Sequence, residues 1–321
     1  MVNSLQLQAD MTQEFGVCVF DVTLDCEDGA PVGGEICQAN LVAALANAAQ
    51  GAPDLVARGL SRRVGVRLHA VDHASFQSDI DIVVGGAAQS LSYIMIPKLE
   101  SLGDVEYAVA AVDAAVGSGR RATPLPLHVL IESPAAVHRA FEIAAHPRVE
   151  SLSFGLMDFV SAHGGAIPHT AMGLRDAGDT STLDQFHHPL VVRAKLDIAS
   201  ACHSSGKVPS HCVVTELRDE AGIEGAARRA ATAFGYTRMW SIHPGQIRPI
   251  LRAFTPCRSE LELAARIVQK AQSEEWAPMS VDGKLHDRAS FRYFWQVLER
   301  AHQTGCELPE SMQEFFPARI H

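Results

Sequence analysis

The chain has 321 residues, 47% of them apolar, enough to bury a substantial core in one large domain or two ordinary ones. Its formal net charge of −10 argues against a nucleic-acid binder, which needs a basic face for phosphates. The same balance is compatible with a small anionic substrate held by a few local arginines.

Short β-rich runs alternate with longer Ala-rich stretches of helical period. Val17–Phe20 reads as a strand leading into an acidic turn, and Ile36–Gln50 as a helix. Val64–Leu68 is a strand, followed by a helix near Ser78–Ala88. Leu91–Ile96 precedes a helical Val105–Val116, Leu127–Ile131 precedes Ala135–Ala145, and Val149–Phe154 precedes another turn. A long helix covers Pro189–Ser204, then Cys212–Thr215 is a short strand before Gly222–Phe234. Met239–Ile242 is the last strand, with helices at Gln246–Phe254 and Ser259–Gln272. Seven strands separated by helices fit either a (β/α)₈ TIM barrel with one strand unrecognised or a doubly wound open sheet. No GxGxxG or GxxxxGK[ST] loop follows a strand, which disfavours the nucleotide-binding sheet. The character changes after Gln272. The division expected is a barrel domain over 1–272 and, over 273–321, an extension with a helix near Arg288–Ala301.

No apolar run approaches the ~20 residues of a membrane span, and no signal-peptide pattern opens the chain. The seven cysteines are scattered without a CxxC pair and read as free thiols of a reducing, cytoplasmic compartment. Three histidine-rich places (His163 with His169, His187 with His188, His203 with His211) lack HExxH spacing and cysteine partners, so they make no zinc motif.

In a parallel barrel the chemistry sits where strands end. The polar side chains at those places are Asp21, Asp25, Glu27 and Asp28, then Arg67 and His69, Lys98 and Glu100, Glu132, Asp158 and His243. Repeated carboxylates with two cations suit a Mg²⁺ site, which takes one or two carboxylates and completes its shell with water and substrate oxygens. The alternative is that these acids cap helices or sit in solvated loops.

Seven fragments in order resemble the citrate lyase β-chain, malyl-CoA lyase and citramalyl-CoA lyase group of the acid aldolase superfamily. They are LDCEDG (Leu24–Gly29), VRLH (Val66–His69), IPKLES (Ile96–Ser101), LIESPAAV (Leu130–Val137), SFGLMDFV (Ser153–Val160), SIHPGQI (Ser241–Ile247) and DGKLHD (Asp282–Asp287). The resemblance implies a (β/α)₈ barrel with a C-terminal helical extension. It implies that Glu132 and Asp158 ligate Mg²⁺ (or Mn²⁺), and that Arg67 binds the keto-acid half of the substrate. Glu27, Asp28, His69, Lys98 and Glu100 then surround substrate and metal-bound water. Asp287, carried by the extension into a neighbouring barrel, exchanges a proton with the thioester α-carbon. That arrangement implies a homotrimer or a hexamer of two trimers. The substrates implied are a small keto acid and an acyl-CoA thioester.

The sequence departs from the group at several points. Its first strand, with Arg-Ser and Val-Pro-Gly, is missing or replaced by Leu5–Ala9. Glu35 and Asn40 stand where the group has a cationic pair for CoA phosphates, and His69 replaces an asparagine. Thr237 and Arg238 replace a Gly-Lys, which makes Arg238, with Arg120 and Arg121, the candidate cations for CoA. The leading expectation is a carbon–carbon lyase acting on malyl-, citramalyl- or citryl-CoA. Beside it stand a thioesterase on the same esters, a free-acid aldolase and a non-catalytic barrel subunit.

Overall fold

The computed structural model describes residues 1–29, 31–50, 57, 59–117, 119, 121–176 and 178–316. Its centre is one seven-stranded sheet, all parallel and ordered as in the chain: β1 (Val22–Asp25), β2 (Val64–Arg67), β3 (Tyr93–Ile96), β4 (Leu127–Ile131), β5 (Val149–Phe154), β6 (Val208–His211) and β7 (Arg238–Met239). Helices cover the outer face, so β2, β3 and β4 are buried at every position and read as continuous apolar runs with few polar residues. The main core lies between sheet and helices, around Val66, Ile94, Ile96, Val129, Leu152 and Ile198.

The sheet curls until its two ends meet. Arg238 on β7 pairs with Asp21, just before β1, at 3.0 Å. Trp240, beyond β7, packs with Tyr93, Met95 and Leu130 on the inner face. No ladder joins β7 to β1 among the described residues, so the result is an incomplete ring rather than a closed eight-stranded barrel. The segment expected to replace a first strand, Leu5–Ala9, lies inside the helix Val2–Phe15. Its buried residues Leu5, Gln8, Met11 and Thr12 recur at helical spacing, which a strand would scatter over both faces. Gln8 Nε2 donates to the carbonyls of Phe20 and Arg63, docking this helix where β1 and β2 begin.

Inside the ring a polar layer replaces hydrocarbon. Tyr93 Oη lies 2.6 Å from Thr23 Oγ1, and its ring crosses β2 so closely that a Cβ on Gly65 would sit 2.3 Å from it. Both ring nitrogens of buried His128 are 2.7 Å from a hydroxyl, Ser151 Oγ and Ser153 Oγ. Burial, helped by the nearby charges of Arg238 and Arg63, lowers its pKa to about 3 and keeps it neutral.

Two expected strands are displaced. The first strand begins at Val22 rather than Val17, and the sixth is Val208–His211 rather than Cys212–Thr215. Pro209 disguises the latter, since proline removes a ladder donor and argues against an interior strand. The helix Arg258–Ser273 packs against Arg288–Gln303 around Leu261, Ala264, Val268, Val297 and Leu298, a cluster separate from the main core. Between them lies the antiparallel hairpin β8 (Met279–Val281) and β9 (Lys284–His286). No helix among the described residues is long and apolar enough to cross a membrane.

Candidate active site

β2 ends on Arg67, buried but for 9% of its surface. Its guanidinium is held on two edges. Nε and Nη2 donate to Asp25 at 2.8 and 2.7 Å. Nη2 also donates to Asp28 at 3.0 Å, and Nη1 lies 2.7 Å from Glu27 Oε2. Trp240 closes the remaining side, with the guanidinium carbon 5.5 Å from its ring centroid. Burial opposes the charge of Arg67, but the three carboxylates outweigh it and hold the proton more tightly than usual.

Glu27 reaches across the end of β2 to β3, where Lys98 Nζ donates to its Oε1 at 2.7 Å. That hydrogen bond raises the Lys98 pKa. The main chain of Lys98 turns to φ 55°, a left-handed conformation uncommon for a side-chain-bearing residue. Its N–H donates to Glu132 Oε2 at 2.8 Å. Glu132 follows β4 and is 6% exposed. It lies in space that only glycine leaves open, because a Cβ on Gly155 would be 2.3 Å from its Cγ and 2.4 Å from its Oε1. Asp158 stands exposed in the first turn of the helix Leu156–Ser161, directly after β5.

The Glu132 carboxyl is pushed up to about 7, first by burial and then by the charges of Asp158 and Glu27, against the Lys98 N–H that favours ionisation. Burial and two neighbouring anions thus leave a deficit of positive charge beside Glu132. A hard divalent cation would relieve it, and the donor set of two carboxylates fits Mg²⁺ with water or substrate oxygens completing its shell. No group of three or more His, Cys, Asp or Glu among the described residues is arranged to hold a metal by itself.

The structure thus brings Arg67, Glu27, Asp28, Lys98 and Glu132 into one chain of contacts, with Asp158 coupled electrostatically to Glu132 and Lys98. His69 follows Arg67 by two residues and is buried. Its backbone N–H and its ring Nδ1 both meet Asp79 Oδ2, at 2.8 and 2.7 Å, and its ring stacks on His73. Glu100 is exposed; its carbonyl accepts from Arg139, while its carboxylate accepts no hydrogen bond among the described residues.

Two candidates lie elsewhere. Arg238 sits where strands begin, paired with Asp21 beside Arg63 and Glu150, and is not brought to the strand-end cluster. Arg238 opens its strand, which runs Arg238–Met239 rather than the expected Met239–Ile242, so it lies at the end of the sheet opposite the strand-end carboxylates. Asp287 is exposed and caps the helix Arg288–Gln303, accepting from the N–H groups of Ala289 and Ser290 at 3.0 and 3.3 Å. Within one chain it makes no contact with Arg67 or Glu132 among the described residues. Arg121 is tied to the carbonyls of Ala88, Leu91 and Thr123, and Arg120 lies outside the described residues.

Several neighbours escaped the sequence reading. Asp25 appeared there only as one strand-end acid, not as the clamp on Arg67. Asp79 and Trp240 carry no motif and arrive through the fold. Gly155 was legible only as part of the Phe-Gly fragment.

Carboxylates and an arginine gathered at the ends of parallel strands are placed as the active-site residues of an α/β enzyme are. The chain belongs to the HpcH/HpaI aldolase/citrate lyase family, which it matches over residues 2–244. It is 30% identical over 299 residues to the L-malyl-CoA/beta-methylmalyl-CoA lyase of Cereibacter sphaeroides, covering 89% of this chain and 88% of that one. A citrate lyase from Burkholderia xenovorans LB400 has the same fold at TM-score 0.79 and 46% identity, covering 96% of this chain and 91% of that one. The CitE protein of Mycobacterium tuberculosis, solved with magnesium, acetoacetate and coenzyme A, shares the fold at TM-score 0.63 and 22% identity, over 93% and 95% of the two chains. By class the protein is a carbon–carbon lyase.

Proposed function

We propose that the protein uses Mg²⁺ to cleave or form the bond between a thioester α-carbon and the carbonyl carbon of a 2-keto acid, with malyl-, citramalyl- or citryl-CoA as the substrate class. One observation carries this reading. A buried carboxylate short of positive charge, Glu132, stands in the same contact chain as Arg67, with Asp158 near enough to act on it electrostatically. The curated malyl-CoA lyase relative supports the ester class.

Glu132 and Asp158 would hold the metal. When bound, it supplies Lewis-acid stabilisation of charge developing on substrate oxygens. Arg67 binds the keto-acid half, its planar fork matching a carboxylate. Lys98 fixes Glu132 through its N–H and holds Glu27 through its ammonium, so both walls of the site are set before substrate arrives. In cleavage the β-hydroxyl passes its proton to solvent water as the carbon–carbon bond breaks to a keto acid and a thioester enolate. Asp287 of an adjoining subunit then delivers a proton to the α-carbon, and in condensation it removes one. This role requires a trimer or hexamer in which the extension, 273–321, covers a neighbour's barrel domain, 1–272. The curled sheet supports a (β/α)₈ architecture that has lost its first strand, and seven cysteines outside any disulfide suit the cytoplasm.

A free-acid aldolase is the second reading, favoured by one observation. Arg238 and Arg121, counted toward CoA phosphates, are engaged by Asp21 and by backbone carbonyls. The deciding experiment incubates the protein and Mg²⁺ with a panel of β-hydroxyacyl-CoA esters and with the matching free acids. Acetyl- or propionyl-CoA together with a keto acid supports the lyase; free CoA alone indicates hydrolysis. Turnover that survives both EDTA and Glu132→Gln overturns the metal mechanism.

A further inference from the structure

We infer that Asp28 is a displaceable stand-in for the substrate carboxylate on Arg67, and so sets how tightly the site takes an anion. The inference rests on the reading that Arg67 binds the acid half of the substrate.

A guanidinium offers two edges able to grip a carboxylate with two parallel N–H groups. On Arg67 the Nε–Nη2 edge is filled by both oxygens of Asp25. The other edge, Nη1–Nη2, is the only one left for a ligand, and two acids occupy it. Glu27 faces Nη1 at 2.7 Å and Asp28 accepts from Nη2 at 3.0 Å. A substrate carboxylate therefore has to displace one of these acids.

The three acids differ in how firmly they are held. Asp25 makes the two-pronged contact and also accepts from the N–H of Glu27 at 3.1 Å. The Glu27 side chain is 10% exposed and clamped on its second oxygen by Lys98. Asp28 has a side chain 76% exposed, and among the described residues its single ion pair is the one to Arg67. Solvent compensates an exposed carboxylate that swings out, whereas moving Glu27 would strip Lys98 of its partner. Asp28 is the acid that leaves. Before substrate binds, it keeps the buried guanidinium neutralised on the edge that substrate will take.

The test is titration calorimetry of the full chain with oxalate in the presence of MgCl₂, for wild type, Asp28→Asn, Arg67→Lys and the double variant. Asparagine keeps the shape and removes the competing charge, so Asp28→Asn tightens oxalate roughly two- to fivefold, the range of an exposed ion pair. Arg67→Lys weakens it, and in the double variant the gain disappears. Unchanged or weaker binding by Asp28→Asn overturns the inference while leaving the role of Arg67 intact. Wild-type affinity in Arg67→Lys overturns the reading beneath it. Asp28 is exposed, so the decisive single variant folds as wild type does, which a thermal melt verifies.

Discussion

The carboxylate of Glu132 fills the place where a side chain on Gly155 would begin, 2.3 Å from Cγ to the position of the missing Cβ. The end of β4 and the end of β5 are thus cut to fit one another, and the glycine serves its neighbour rather than its own turn. Gly155→Ala is expected to push Glu132 off the Lys98 N–H. Activity and Mg²⁺ affinity should fall together, by roughly tenfold or more, the scale of a disturbed ligand-orienting contact. Calorimetric Mg²⁺ titration checks this; an alanine variant with wild-type Mg²⁺ affinity would show that Glu132 is not a ligand.

Glu132 also gives the metal-free protein a pH signature. Its pKa is raised from 4.5 to about 7, so the folded state keeps a proton that the unfolded state gives up. The group costs nothing below pH 4.5. Stability then declines across pH 4.5 to 7 by an amount on the order of 3 kcal/mol. In EDTA, Glu132→Gln should therefore unfold at higher urea than wild type at pH 8, while accepting the same N–H bond from Lys98. Added Mg²⁺ should stabilise the wild type and leave the glutamine variant unmoved. Equal urea midpoints at pH 8 would contradict the charge deficit.

Asp287 caps a helix whatever else it does, and that role can be separated from proton transfer. Asparagine caps nearly as well as aspartate but cannot serve as the acid or base. Asp287→Asn is expected to keep the melting temperature and lose turnover, whereas Asp287→Ala should also lose about 1 kcal/mol. Mixing Asp287→Ala with Arg67→Ala should restore part of the activity in mixed oligomers. A fully active Asp287→Asn would confine the residue to capping.

Lys195 predicts the opposite pH trend. It is fully buried, donates to Gln185 Oε1 at 2.9 Å and lies 4.1 Å from the centroid of Phe186. Burial lowers its pKa to about 8, so between pH 8 and 10.5 the unfolded chain holds the proton and the folded chain does not. Stability contributed by this group rises with pH over that window. Urea midpoints at pH 7.5 and 9.5 should differ in this sense for wild type and lose that component in Lys195→Met. An unaltered pH slope in the variant would place the titration elsewhere.

Much of the site was legible because strand ends announce themselves. Arg67, Glu132 and Asp158 each close or follow an apolar run, and the rule that barrel chemistry gathers at such ends needs no coordinates. What stayed hidden depends on which strand lies beside which. The Lys98 main chain meets Glu132 because β3 and β4 are neighbours, and Glu27 reaches Lys98 only because it spans the end of β2. Trp240 covers Arg67 through the curl that brings β7 round to β2, contacts that no local pattern encodes. Whether the first strand was missing or replaced by Leu5–Ala9 stayed open in the sequence; the helical spacing of Leu5, Gln8, Met11 and Thr12 was the signal that the segment is a helix.

The meeting of β7 with β1 has a consequence for how the ring yields. Every other junction in it is laced by main-chain hydrogen bonds, which salt barely affects. This one is bridged by partly solvated side chains, Arg238 to Asp21 and, further out, Arg248 to Glu14 at 3.0 Å. Mobile ions screen such pairs, with a reach of about 10 Å at 0.1 M salt. The ring therefore has a seam: ionic strength loosens it there, along one line of its circumference, while the other six joints hold.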